Sequence, residues 1–281
     1  MENPQNSGEK VSIVYLAAGI SSRFGGKIKQ FAQVGPEGET LIEVSMKQAV
    51  SAGINEIIFV VGEKTSSPFM EKFGNLYQGV PVKYAFQSFD TKERDRPWGT
   101  VDAVVCIKQV VKNSFLICNG DDLYGTNSFK LMQNFLIENN DEFLCASAGY
   151  ELGCVLPEKG RVNRAVFSVD KNGFVIDLDE KFNIEKNNLA SQNLNEKTPI
   201  SMNLFALKKE TLDLMEKKLI AFKSNHKNDR KSECLLPVEI SNLIHEGKIK
   251  MKLLPTKDKW LGVTNPGDEV TVRNALALNQ L

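Results

Sequence analysis

VSIVYLAAGISSRFGG, residues 11–26, decides the fold. Val11–Leu16 is a short β-branched, apolar run, and it ends in small residues at Gly19. That pattern is a buried strand feeding a glycine-containing turn. Working outward, the same punctuation recurs. Thr40–Ala52 carries apolar residues at helical spacing and stops at Gly53. Glu56–Val61 (EIIFVV) is a second buried strand, Pro68–Gln78 a helix, Val82–Phe86 a third strand and Gly99–Val111 a helix. Phe115–Cys118 is a fourth strand ending at Asn119-Gly120-Asp121-Asp122. Phe129–Ile137 is a helix and Phe143–Ala148 a fifth strand. Strands alternating with helices predict a mostly parallel sheet covered on both faces. Ligands of such sheets bind beyond the carboxyl ends of the strands. The loops at Gly19 and Asp121 both fall on that edge.

After Tyr150 the rhythm changes. Val162–Val169 and Phe174–Leu178 flank Asp170-Lys171-Asn172-Gly173, which predicts a hairpin with an Asn-Gly turn. Residues 184–199 are polar and Asn-rich, the composition of a mobile loop. Ser201–Leu207 is a strand, Lys208–Phe222 a helix and residues 223–233 a polar loop. Leu235–Glu246 is a helix, Lys248–Leu254 a strand and Asp268–Leu278 a closing helix. There are no internal repeats. The expected organisation is a flexible stretch at residues 1–10 and one domain over 11–281. Within it, 11–150 binds a nucleotide and 151–281 binds the acceptor and completes the sheet.

Composition narrows the function. The 281 residues carry 35 Lys+Arg and 35 Asp+Glu, a formal net charge of zero. That lacks the basic footprint of a nucleic-acid binder, so any phosphate site must be local. The five cysteines are odd in number, and none forms a CxxC pair. They read as reduced packing residues of a cytoplasmic protein. No apolar run reaches the ~18 residues of a membrane span, and the polar start MENPQNSGEK has no signal-peptide core. The two histidines, His226 and His245, read as surface residues. No Ser/His/Asp arrangement suggests a nucleophilic serine.

The chemistry-bearing residues are few. In Leu16-Ala17-Ala18-Gly19 the small side chains let backbone approach a triphosphate, with N–H groups facing its oxygens. Arg23 offers a bidentate fork. Lys29 offers a point charge suited to a departing pyrophosphate. The spacing fits neither GxGxxG nor GxxxxGK[ST]. Asp121, at the end of an apolar strand, is a hard oxygen donor suited to Mg²⁺.

LAAGISSRFGG followed by Lys29-Gln30 resembles the signature of the nucleotidyltransferases that activate sugar phosphates, and of the related cytidylyltransferases. The resemblance spans nearly the whole chain from Val11 and is looser after Ala148. It implies a Rossmann-like three-layer α/β/α fold with a mostly parallel mixed sheet and a smaller, β-rich acceptor region. It implies transfer of a nucleoside monophosphate from a triphosphate to a sugar 1-phosphate, with Mg²⁺ and loss of pyrophosphate, in sugar nucleotide biosynthesis. Gly19, Arg23 and Lys29 would contact the triphosphate, with Leu16, Ala17 and Ala18. Asp121 would hold the metal, matching the family's Gly-Asp step. Gly99 and Thr100, in Gly99-Thr100-Val101-Asp102-Ala103, would lie beside the base, and Gln87 would read a pyrimidine edge. Glu180 and Lys181 match a Glu-Lys pair that meets the acceptor's hydroxyls and phosphate, although Phe182 replaces the usual proline. Asn203 matches an asparagine in a strand near the acceptor. The second metal ligand departs from the pattern: Gly262 follows Trp260-Leu261, leaving Asn265 or Asp268, and Asp268 is equally a helix cap. Nucleic acid and membrane are not among the expected partners; a homo-oligomer is compatible with the sequence. Alternative readings are a cytidylyltransferase for a non-sugar alcohol phosphate, a non-catalytic sugar-nucleotide binder, and a relative of the molybdenum-cofactor guanylyltransferases.

Overall fold

The computed structural model describes residues 10–19, 26, 28–157, 160–263 and 266–278. Arg23, Asn265 and the first nine residues lie outside them. The strands are β1 Ser12–Leu16, β2 Glu56–Val61, β3 Leu76–Tyr77, β4 Val80–Phe86, β5 Phe115–Asn119, β6 Asp122–Leu123 and β7 Leu144–Glu151. They continue with β8 Val162–Val169, β9 Val175–Ile184, β10 Pro199–Ser201, β11 Phe205–Leu207, β12 Lys250–Pro255 and β13 Leu261–Gly262. The helices are α1 Leu41–Ser51, α2 Glu63–Phe73, α3 Thr100–Cys106, α4 Thr126–Glu138, α5 Leu152–Val155, α6 Thr211–Asn225, α7 Leu236–His245 and α8 Asp268–Ala277.

The first half is wound as the alternation predicts. β4, β2, β1 and β5 lie side by side, all parallel. Their side chains alternate between two cores. Ile13, Tyr15, Ile57 and Phe59 face α1, α2 and α4, whereas Val14, Ile58 and Val60 face α3, α6 and α7. Burial on both sides is why these strands are continuous apolar runs. Helix α1 starts where a capping box forms: Thr40 and Glu43 exchange hydrogen bonds across the first turn.

The second half extends the same sheet antiparallel. β11 inserts between β5 and β7, and β10 between β7 and β8. The two are one strand along one edge of β7, interrupted at Met202–Leu204. Register shifts by two residues across that break, from Ile200↔Tyr150 to Phe205↔Ser147. Asn203 takes a left-handed φ of 62° there, which asparagine tolerates better than most residues. The other edge therefore changes partner at this bulge, from β8 to β5. A fork opens in the sheet at the carboxyl end of β5.

Some elements depart from the sequence pattern. Helix α2 begins at Glu63 rather than Pro68, because the Gly62 carbonyl accepts from the backbone N–H groups of Thr65 and Ser66 and closes the first turn there. It ends at Phe73, and Leu76–Tyr77 is a short strand against β4. The expected strand over Ser201–Leu207 is broken, and Asn203 sits in the bulge rather than in a strand. The hairpin turn is wider than a two-residue turn. The Asp170 carboxylate accepts from the backbone N–H groups of Asn172 and Phe174.

Candidate active site

Three backbone segments meet beyond the carboxyl ends of β1, β2 and β5. Ala17 donates to the Val60 carbonyl at 2.9 Å, and Gly120 donates to the Leu16 carbonyl at 3.0 Å. A Cβ at Gly62 would stand 2.8 Å from the Ala18 carbonyl oxygen. The Leu16–Gly19 segment is thus pinned from both sides by neighbouring strand ends. Arg23 and most of the following loop lie outside the described residues.

Lys29 opens a short 3₁₀ turn, Lys29–Phe31. Phe31 anchors it on α2, with its ring centroid 4.8 Å from that of Phe69. This mooring brings the Lys29 ammonium onto the Asp121 carboxylate as an ion pair, with each side chain about one-fifth exposed. Two residues 92 positions apart in sequence, expected to serve triphosphate and metal, are in contact. Gln30 beside them is buried, and its side-chain oxygen has no hydrogen-bond partner.

Asp122 follows the Gly-Asp step. It is buried on β6, where the Asn119 amide donates to it at 2.9 Å. Burial, then the charge of Asp121, pushes its carboxyl up to about 7. β6 pairs with β13, setting Asp122 opposite Gly262, and Val263 donates to the Asp121 carbonyl. A side chain at Gly262 would overlap both the Asp122 carboxylate and the Trp260 ring. That crowding is a physical reason for glycine where the family resemblance leads one to expect an aspartate. Val263 and Val272 pack on Leu123, so α8 docks on the same loop, and Asp268 is its first residue. Among the described residues no three His, Cys, Asp or Glu side chains form a ready metal cage. The Asp121 charge that disfavours ionisation of Asp122 is one that a dication would offset, so the adjacent carboxylates fit a hard dication whose other ligands are phosphate oxygens and water.

On the far side of β1, Gln87 follows β4. Its amide nitrogen donates to the Gly99 carbonyl at 3.0 Å and to Asp102 at 2.9 Å. Lys223 of α6 closes on the other Asp102 oxygen at 2.7 Å. Both neighbours of the amide nitrogen are acceptors, so the Gln87 carbonyl oxygen is the atom left for a ligand. Gly99 and Thr100 are engaged in packing. A Cβ at Gly99, whose φ is 98°, would stand 2.5 Å from the Cys234 carbonyl oxygen. The Thr100 hydroxyl accepts from the Leu236 N–H at 2.7 Å and so caps α7.

The acceptor candidates lie across the fork. Glu180 is half-buried on β9, and burial raises its carboxyl above the ordinary value. Lys181 pairs with Asp179 at 2.6 Å. Directly across the ladder from Lys181 is Arg164 of β8, a residue that no sequence motif marks. Asn203 donates its backbone N–H to the Ser201 hydroxyl.

The family model described as Nucleotidyl transferase matches residues 26–266. The chain belongs to the nucleotidyl transferase family. The matched span starts just past the Leu16–Arg23 loop and covers Lys29, Asp121 and the acceptor side. No curated protein matches the sequence. The fold resembles that of the inositol-1-phosphate CTP transferase from T. maritima, at 15% identity over 96% of each chain and TM-score 0.66. It resembles a putative glucose-1-phosphate thymidylyltransferase from Bacillus anthracis, at 12% identity over 95% of each chain and TM-score 0.68. It also resembles HddC from Yersinia pseudotuberculosis, at 16% identity over 94% of this chain and 98% of that one, with TM-score 0.60. These likenesses carry the fold, and the family match makes the chain a nucleotidyltransferase. Among the described residues no helix is long and apolar enough to cross a membrane.

Proposed function

We propose that this nucleotidyltransferase joins a nucleoside monophosphate to a sugar 1-phosphate, in the formation of a sugar nucleotide in the cytoplasm. A phosphate oxygen of the acceptor attacks the α-phosphorus of the triphosphate. The bond to the bridging oxygen breaks, and pyrophosphate leaves with that electron pair. The observation that carries the reading is the meeting of Lys29 and Asp121 at the joined ends of β1 and β5. The chain's own task is positioning and charge neutralisation, with no covalent intermediate. Leu16–Gly19 would present backbone N–H groups to the triphosphate, with Arg23 beside them. Lys29 would turn from Asp121 to the departing phosphates. The Gln87 carbonyl would accept a hydrogen bond from the base. Glu180 would orient the acceptor's hydroxyls, and Lys181 and Asn203 would border the same pocket.

Mg²⁺ would be held by Asp121 with Asp122, and Asp268 is a further candidate ligand. Bound there, the ion supplies positive charge to the phosphate oxygens. A second reading, cytidylyl transfer to a non-sugar alcohol phosphate, draws support from Phe182 in place of the proline after Glu180-Lys181 and from the comparable fold likeness to an inositol-1-phosphate CTP transferase. The test is a matrix of four nucleoside triphosphates against sugar 1-phosphates, choline phosphate and inositol 1-phosphate, read as pyrophosphate release. Release with a sugar 1-phosphate, lost in Asp121→Ala, supports the first reading. Release only with a non-sugar phosphate selects the second.

A further inference from the structure

Arg164 and Trp260 come from β8 and from the residue before β13. Arg164 falls in none of the motifs that placed the site, and Trp260 entered only as a neighbour of the second metal ligand, yet the topology brings both to the fork. Ala165 lies beside Ser201 and Phe205 beside Ile117, so Arg164 and Asn119 flank the Met202–Leu204 bulge from its two sides. The Arg164 guanidinium carbon sits 5.4 Å from the centre of the Trp260 ring. The same ring abuts Gly262, which abuts the Asp122 carboxylate. Only Trp260 and Gly262 therefore stand between the guanidinium and the Asp121-Asp122 loop.

Its polar accounting is incomplete. One terminal nitrogen donates to the Asn163 carbonyl at 2.9 Å, while Nε is buried with no partner. The indole Nε1 of Trp260 is likewise buried and unpartnered. No carboxylate among the described residues pairs with Arg164. Asp122 and Glu180 are near enough to favour its charge, but burial outweighs them and lowers its pKa. Both orphaned groups are donors only. A partly buried guanidinium whose Nε is sealed from water without a partner is costly unless an anion completes it.

We propose that Arg164, with the Trp260 indole N–H, forms an anion subsite that takes the acceptor's phosphate. The assignment to the acceptor rests on the nucleotidyl-transfer reading. The phosphate geometry itself does not: planar guanidinium and indole donors suit any tetrahedral oxyanion. Position favours the acceptor over the triphosphate, because Arg164 belongs to the β8–β9 hairpin with Glu180 and Lys181. Lys181, already paired with Asp179, then stands at the rim.

The test uses the full chain with Trp98→Phe, which leaves Trp260 as the sole tryptophan. Its emission is followed during titration with inorganic phosphate, glucose 1-phosphate, glucose and a non-hydrolysable nucleoside triphosphate. The expected result is a saturable response to inorganic phosphate and to glucose 1-phosphate, and none to glucose. Arg164→Gln should weaken that response at least tenfold, and Arg164→Lys should weaken it less. Folding is checked by Tm, which should not fall in Arg164→Gln. An equal response in Arg164→Gln, or no response to either phosphate, overturns the subsite. A response confined to the triphosphate overturns the acceptor assignment. Where an acceptor turns over, Arg164→Gln should raise its KM at least tenfold and leave that of the triphosphate within about twofold. An Arg164-dependent phosphate response in a chain that transfers to no acceptor would support the subsite and count against nucleotidyl transfer, so the two failures are distinguishable.

Discussion

The two flanks of the cleft are finished differently. On the base side, Gln87, Asp102 and Lys223 form a closed chain, with the Gln87 amide nitrogen, both Asp102 oxygens and the Lys223 ammonium engaged within the protein. On the side proposed for the acceptor, Arg164 Nε and Trp260 Nε1 are buried and unpaired. A closed network holds one atom, the Gln87 carbonyl oxygen, in a fixed direction before any ligand arrives. An open set of donors has its partner still to come. Preorganisation and unfilled demand are thus separated in space, and each makes its own prediction about substitution.

Between the flanks, Asp121→Ala should have the largest effect. It should cut acceptor-dependent pyrophosphate release on the order of 100-fold or more while Tm changes little, since the removed group is partly exposed. Lys29→Ala should produce a comparable loss in kcat, and an unchanged kcat would show that another lysine faces the leaving phosphates.

Asp122 gives a pH signature. Folded, without divalent cation, it keeps its proton to about pH 7; unfolded, it releases it near the ordinary carboxylate value. Between those limits the folded chain binds more protons, so raising the pH favours unfolding. Tm measured in chelator should therefore fall from pH 5 to pH 7.5, by about 5 °C for this contribution. Asp122→Asn should flatten that fall. An equal fall in the variant would assign the dependence elsewhere.

The comparison of flanks is sharpened by opposite signs of stability. Lys223→Met opens the closed side and leaves Asp102 buried without its cation, which should cost roughly 1 kcal/mol, discounted because Lys223 is itself about one-third exposed. That is about 2–4 °C in Tm for a chain of this size, together with a raised KM for the triphosphate. Arg164→Met on the open side should leave Tm equal or higher. A matching loss at both positions would break the distinction. The smallest effect on activity belongs to Thr100→Val, which removes the cap of α7 and should cost about 1 kcal/mol of stability with little change in KM.

The β1–β5 half is legible in the sequence because its signals are local. Glu56–Val61 is a strand with the expected ends, Thr40 and Glu43 cap α1 as their spacing allows, and Lys29 and Asp121 each follow an element whose end is legible. The β8–β9 side is built from register. Arg164 sits in an alternating run, VNRAVF, where alternation alone marks a solvent-facing residue. Its burial depends on the bulge at Asn203 and on β13 pairing with β6, contacts between segments about 40 to 140 residues apart. Gly99 shows the converse: a motif residue whose missing side chain also makes room for the Cys234 backbone, which spacing cannot reveal. Pro68 points to a start of α2 there because proline favours a first turn, whereas the helix is capped at Gly62 and begins at Glu63, five residues earlier.

The central claim is transfer to a phosphate acceptor, and following the α-phosphate tests it most directly. Triphosphate labelled at the α-position is incubated with Mg²⁺ and the acceptor panel, and the products are separated. The account predicts label in a nucleoside diphosphate joined to the acceptor, one equivalent of pyrophosphate for each, and neither product in Asp121→Ala. Label appearing only as free nucleoside mono- or diphosphate, whatever the acceptor, would contradict it.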